Sequence, residues 1–197
     1  MAAIHPIEIK GEWLSGFALD YHTISSTCIG HDEYGHPIFD TKYTELGALL
    51  YQLKSKANKS VVGEIVETIC HFVQVSWNPP LSAIVPMPPS TRRTLQPVFI
   101  LADALSERLQ LPVRRDAVAK LKQTPQLKNV YDYNERMRLL TGVFSAKPEL
   151  LSEQRVLLFD DLYRSGATMN NVATVLRNEG KAAGVYVLAV TRTRINR

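Results

Sequence analysis

The sequence predicts an α/β protein built on a largely parallel sheet with helices packed against it. Two observations carry this. Short, continuously apolar runs alternate with longer stretches of helical spacing along most of the chain, the pattern of strand–helix units. One such run, Val156-Leu157-Leu158-Phe159, leads through two carboxylates and a short loop into a helical pattern closed by Gly180. A strand buried on both faces reads as an unbroken apolar run. Its carboxyl end is where open α/β sheets of about five strands place their ligands.

The elements follow in order. Residues 13–40 are rich in Tyr, Thr, Ile and Phe, with turn signals at Glu33-Tyr34-Gly35-His36-Pro37. They predict a small antiparallel unit, so the chain divides into a β-rich extension over residues 1–40 and a main domain over residues 41–197. Leu46, Leu49, Leu50 and Leu53 recur at helical spacing over residues 41–55, with Thr41 or Thr44 available as cap. A second helix spans 61–75 and is ended by Asn78-Pro79-Pro80. A short buried strand over 81–85 follows, and Pro86, Pro88 and Pro89 then force an irregular loop. Residues 94–110 read as a helix and 112–118 as a strand. A polar, lysine- and arginine-rich interlude covers 120–138. The strand 155–159, the helix 169–178 and the strand 184–190 complete the chain.

Composition narrows the function classes. Hydrophobic content of 45% and charged content of 21% are those of an ordinary globular protein. A net charge of +4 suits an anionic small molecule, a weak nucleic-acid surface or a merely solvated basic face. Cys28 and Cys70 lie far apart, which excludes a disulfide framework and a four-cysteine zinc site. No apolar leader or membrane-length run is seen, so a cytoplasmic protein without membrane contact is expected. His22, His31, Asp32, Glu33 and His36 match no metal-binding spacing and read as surface turn residues.

The strand end holds the chemistry. Asp160 and Asp161 precede a loop of Leu162, Tyr163, Arg164, Ser165, Gly166, Ala167 and Thr168 that opens a helix. Backbone N–H groups and hydroxyls there can converge on one phosphate, aided by the helix dipole. The carboxylates repel phosphate and suit sugar hydroxyls, or a metal ion bridging to the same ligand. Together these describe a ribose 5-phosphate; the bland alternative is an Asp-Asp turn ending a buried strand.

At these residues the segment resembles the 5-phosphoribosyl 1-diphosphate (PRPP) motif of type I phosphoribosyltransferases. Ile84-Val85-Pro86-Met87-Pro88-Pro89-Ser90-Thr91-Arg92-Arg93 is similar to the Val-Pro-x-Pro strand end and basic loop of the ComF-like, amidophosphoribosyltransferase-like branch. Lys120-Leu121-Lys122-Gln123-Thr124-Pro125-Gln126-Leu127, then Glu135-Arg136 and Gly142-Val143-Phe144, are similar to that branch's mobile loop. The resemblance implies a type I phosphoribosyltransferase-like sheet and transfer of a phosphoribosyl group from PRPP, with Mg²⁺, to a nitrogenous base or amine acceptor. It implies that Asp160 and Asp161 hold the ribose hydroxyls, contacting the metal only through water or PRPP, and that the loop from Leu162 to Thr168 takes the 5-phosphate. Arg92 and Arg93 would hold the diphosphate, with Lys122 or Lys128 assisting. A homodimer is a further expectation.

Three departures stand out. Leu139 replaces the branch's usual Asn, Arg164 replaces a small residue, and the four-cysteine zinc module is absent. An alternative stays open: a non-catalytic protein of this fold that handles single-stranded DNA in competence or senses PRPP. Arg164, Arg192, Arg194 and Arg197 would then contribute to a nucleic-acid or partner surface. Nothing in the sequence names the acceptor or a general base.

Overall fold

Valine, leucine and isoleucine runs that cannot expose either face assemble side by side in the middle of the molecule. The computed structural model describes residues 1–89, 95–123, 130 and 132–194. Its central sheet has the order β1-β2-β9-β8-β5, formed by β1 (Ile7–Glu8), β2 (Ser15–Tyr21), β5 (Ala83–Pro86), β8 (Arg155–Tyr163) and β9 (Gly184–Arg192). β2, β9, β8 and β5 run parallel, and β1 closes one edge antiparallel.

The alternation of side chains sends the apolar run of β8 to two different cores. Leu157 and Phe159 face a layer built by α1 (Glu45–Lys56), α2 (Val62–His71) and α3 (Pro97–Leu109), packing with Leu50, Ile65, Ile69 and Leu105. Val156 and Leu158 face the other layer, where α6 (Ala167–Asn178) contributes Val172, Ala173 and Leu176. α4 (Tyr133–Leu140) and the two-stranded sheet of β6 (Val118–Lys120) and β7 (Phe144–Ala146) complete that side through Leu140, Val118 and Phe144. A four-residue helix, α5 (Pro148–Leu151), leads into β8.

Some elements match the sequence reading and others differ from it. The expected antiparallel hairpin forms from β3 (Thr23–His31) and β4 (Pro37–Tyr43), with Asp32 accepting from the amides of Tyr34 and His36 at its turn. The preceding Ser15–Tyr21 instead joins the central sheet beside β9. The helix of residues 61–75 continues to Trp77 by a π-helical segment, Phe72–Trp77, and stops where Asn78 turns left-handed. The strand expected over 112–118 is broken into one bridge, Val113 to Ile84, and the first residue of β6, Val118, paired with Ala146, because Pro112 and the turn at Arg115 and Asp116 leave no straight run.

One contact fixes how α1 meets the sheet. Thr44 caps the helix by accepting from the Gly47 amide and donates its hydroxyl to the Tyr21 carbonyl at the end of β2. A Cβ on Gly47 would lie 2.0 Å from the His22 carbonyl oxygen, so only glycine permits this approach.

Candidate functional site

The parallel strands end together, and their carboxyl ends carry Tyr21 and His22 (β2), Thr191 and Arg192 (β9), Asp160 to Tyr163 (β8) and Pro86 (β5). This is the edge at which parallel α/β sheets place ligands. Asp160 and Asp161 point to opposite faces of β8. The Asp160 carboxylate accepts from the Asp161 amide at 2.8 Å. Although Asp160 keeps some surface open to solvent, its carboxyl is enclosed. Desolvation first, and the neighbouring Asp161 charge second, push its pKa up to about 8.

Asp161 has a partner from another element. The Lys54 ammonium on α1 donates to both of its carboxylate oxygens, at 3.0 and 3.1 Å. Lys54 is 26% and Asp161 13% exposed, so the pair is shielded enough to matter electrostatically. His22 lies in the same field: its pKa is lowered by desolvation, then by the Lys54 charge, with Asp161 opposing and Arg164 adding. Its Nδ1 is 3.1 Å from the Thr191 hydroxyl. Tyr43 meets His22 edge-on and stacks on Tyr51 with ring centroids 4.9 Å apart. An aromatic wall therefore stands beside the Lys54–Asp161 pair.

After Asp161 the chain turns through Leu162, Tyr163, Arg164, Ser165 and Gly166 into α6, which begins at Ala167 with Thr168 in its first turn. Gly166 has φ 79°, and a Cβ there would sit 2.2 Å from the Tyr163 hydroxyl oxygen, so the turn needs glycine twice over. No side chain caps the α6 N-terminus among the described residues, which leaves first-turn amides able to serve an anion. Tyr163 is buried and Arg164 exposed. Arg192 lies over both the Tyr163 ring, at 5.6 Å, and the Tyr21 ring, at 5.8 Å. Arg194 covers Tyr21 at 4.1 Å and donates to the Thr23 carbonyl.

Thus the structure brings together Asp160, Asp161 and the whole turn to Thr168. Lys122 is exposed just past β6, with its ammonium near Gly142 ahead of β7. Arg92, Arg93 and Lys128 lie outside the described residues. Sequence reasoning missed Lys54 and His22. Lys54 is 107 residues from Asp161, and its only local signal is a lysine in the last turn of a leucine-rich helix.

Whether this edge suits a magnesium-bound ligand can be tested on its donor set. Among the described residues no cluster of three or more His, Cys, Asp or Glu is placed to hold a metal ion, and Lys54 already occupies Asp161. The pair is therefore poorly disposed to chelate a cation directly but well disposed to accept hydroxyls of a ligand that brings its own. No helix among the described residues is long and apolar enough to cross a membrane.

No family model matches the chain. Competence protein ComFC of Bacillus subtilis (strain 168) is 32% identical over 111 residues, 56% of this chain and 44% of that protein; the match thus spans less than half the relative's length. Among solved structures, adenine phosphoribosyltransferase from Trypanosoma brucei aligns with a TM-score of 0.48 at 14% identity, over 94% of this chain and 74% of that one. Adenine phosphoribosyltransferase from Saccharomyces cerevisiae gives 0.46 at 11%, over 84% of each chain. UMP synthase from Leishmania donovani gives 0.43 at 13%, over 82% of this chain and 27% of that one.

Proposed function

We propose, for a chain that is ComF-like and has a type I phosphoribosyltransferase fold, that the carboxyl edge of its sheet binds PRPP and transfers the phosphoribosyl group to a nitrogenous acceptor. The observation that supports this most is the acid pair placed immediately before a glycine-dependent turn into an uncapped helix. Sugar-hydroxyl acceptors and phosphate donors are then one turn apart.

Each residue has a role in this reading. The amides and hydroxyls of Leu162, Tyr163, Arg164, Ser165, Gly166, Ala167 and Thr168 hold the 5-phosphate. Asp161, ionised and fixed by Lys54, accepts a ribose hydroxyl. Asp160, with its pKa near 8, is mostly protonated at neutral pH and can donate to one hydroxyl while accepting from another. As the bond from the anomeric carbon to diphosphate breaks, the ionised carboxylate of Asp161 favours the positive charge that develops on the ribose. Arg92 and Arg93 take the departing diphosphate through planar forks of donors, and Lys122 or Lys128 assists from the loop that excludes water. Mg²⁺, when bound, offsets diphosphate charge, and Asp160 and Asp161 would reach it only through water or the ribose hydroxyls.

The test is incubation with PRPP, Mg²⁺ and a pool of nitrogenous bases while diphosphate is measured. Release that depends on one base supports the transferase; binding of PRPP without release under any base contradicts it. The ComFC likeness favours a second reading, a non-catalytic role in single-stranded DNA handling or PRPP sensing. Under it, a labelled oligonucleotide binds with an affinity that falls steeply as salt rises. Arg192 contributes little to such a surface, because it is partly buried over two tyrosine rings.

A further inference from the structure

The ribbon of β3 and β4 stands outside the central sheet, and among the described residues its strands pair only with each other. Nine large hydrophobic side chains are exposed among those residues, and five sit on this ribbon: Ile24, Ile29, Tyr34, Ile38 and Phe39, exposed by 45 to 77%. A lone two-stranded ribbon is marginal in water, and an apolar concentration of this kind marks a contact surface.

Its two edges are not equivalent. β3 carries register irregularities at Ile24 and Ile29, and bulges of that kind blunt an edge against further pairing. β4 is regular from Pro37 to Tyr43 and presents an open ladder of N–H and C=O groups.

Charge identifies what fits this edge. The ribbon holds Asp32, Glu33 and Asp40 against Lys42, which disfavours nucleic acid and acidic lipid. β4 reads Pro-Ile-Phe-Asp-Thr-Lys-Tyr. When two such strands lie antiparallel with Thr41 on the axis between them, Asp40 opposes the partner's Lys42 and Phe39 opposes the partner's Tyr43, each pair occurring twice. Opposite charges and aromatic pairs across strands stabilise a sheet, and like charges directly opposite destabilise it.

We propose that two copies of this chain associate by antiparallel edge pairing of β4 about a two-fold axis at Thr41, joining their ribbons into one four-stranded sheet. The contact is isologous and closes on itself, giving a dimer rather than a fibre. Its root touches the site, because Tyr43 stacks on Tyr51 and meets His22.

Sedimentation of the full chain over a concentration series tests this, with thermal unfolding to confirm that each variant is folded. The wild type sediments as a dimer at micromolar concentration. Asp40→Lys sets like charges face to face and weakens the dimer by about tenfold or more, and the double variant Asp40→Lys/Lys42→Asp restores it. A wild type that stays monomeric, a dimer indifferent to Asp40→Lys, or a double variant that fails to recover overturns the proposal.

Discussion

Lys54 changes what the two aspartates can do. Two adjacent carboxylates facing a polyanionic ligand would repel it; the ammonium on both oxygens of Asp161 offsets one charge and fixes the carboxylate's orientation. Lys54→Met is expected to weaken PRPP binding by about tenfold, equivalent to about 1.4 kcal/mol. Lys54→Arg keeps most of the affinity; calorimetric titration of both variants checks this. Asp160 makes a separate prediction about pH. Its pKa is raised from an unfolded value near 3.8 to about 8, so the folded protein holds a proton there that the unfolded chain has lost. The stability this gives is full below pH 4 and is lost as pH rises through 8. The melting temperature of the wild type should therefore fall more between pH 5 and pH 9 than that of Asp160→Asn, as followed by circular dichroism; equal slopes would contradict the buried, protonated carboxyl. Asp160 and Asp161 were legible in the sequence because strand, acids and turn are contiguous. Lys54 was not, because its meeting with Asp161 depends on how α1 crosses the sheet, a long-range packing outcome with no local pattern.

At the scale of elements, β8 and the turn after it are the most constrained parts of the fold. Phe159 is fully buried between β8 and the α1–α3 layer, so Phe159→Ala should cost about 3–5 kcal/mol in denaturant unfolding. Gly166→Ala must place an L-residue at φ 79° and press its Cβ into the Tyr163 ring. A loss of about 1–2 kcal/mol is expected from the backbone conformation, with PRPP affinity falling too; a variant as stable as wild type would mean that the turn relaxes freely. These elements announced themselves, since continuous apolar runs and a Ser-Gly-Ala-Thr turn encode strand, loop and helix locally. The strand expected over residues 112–118 failed for the converse reason. Its apolar residues are too few, and the turn after its proline and paired arginines splits it into the Val113 bridge and the start of β6 at Val118.

Across the whole molecule, the parallel sheet gathers residues from the first and last parts of the chain at one edge: Tyr21 and His22 beside Thr191 and Arg192, next to Asp160 and Asp161. The sequence pattern indicated a parallel sheet but gave no sign that Ser15–Tyr21 would pair with β9, because strand order depends on contacts across the full chain length. That pairing makes the aromatic wall of His22, Tyr43 and Tyr51 part of the site. In the proposed function the acid pair is the ribose-binding group. Isothermal titration of PRPP with Mg²⁺ into wild type and into Asp160→Asn/Asp161→Asn tests it most directly: the wild type should bind with saturable heat and the double variant should not, whereas equal affinity for both would contradict it.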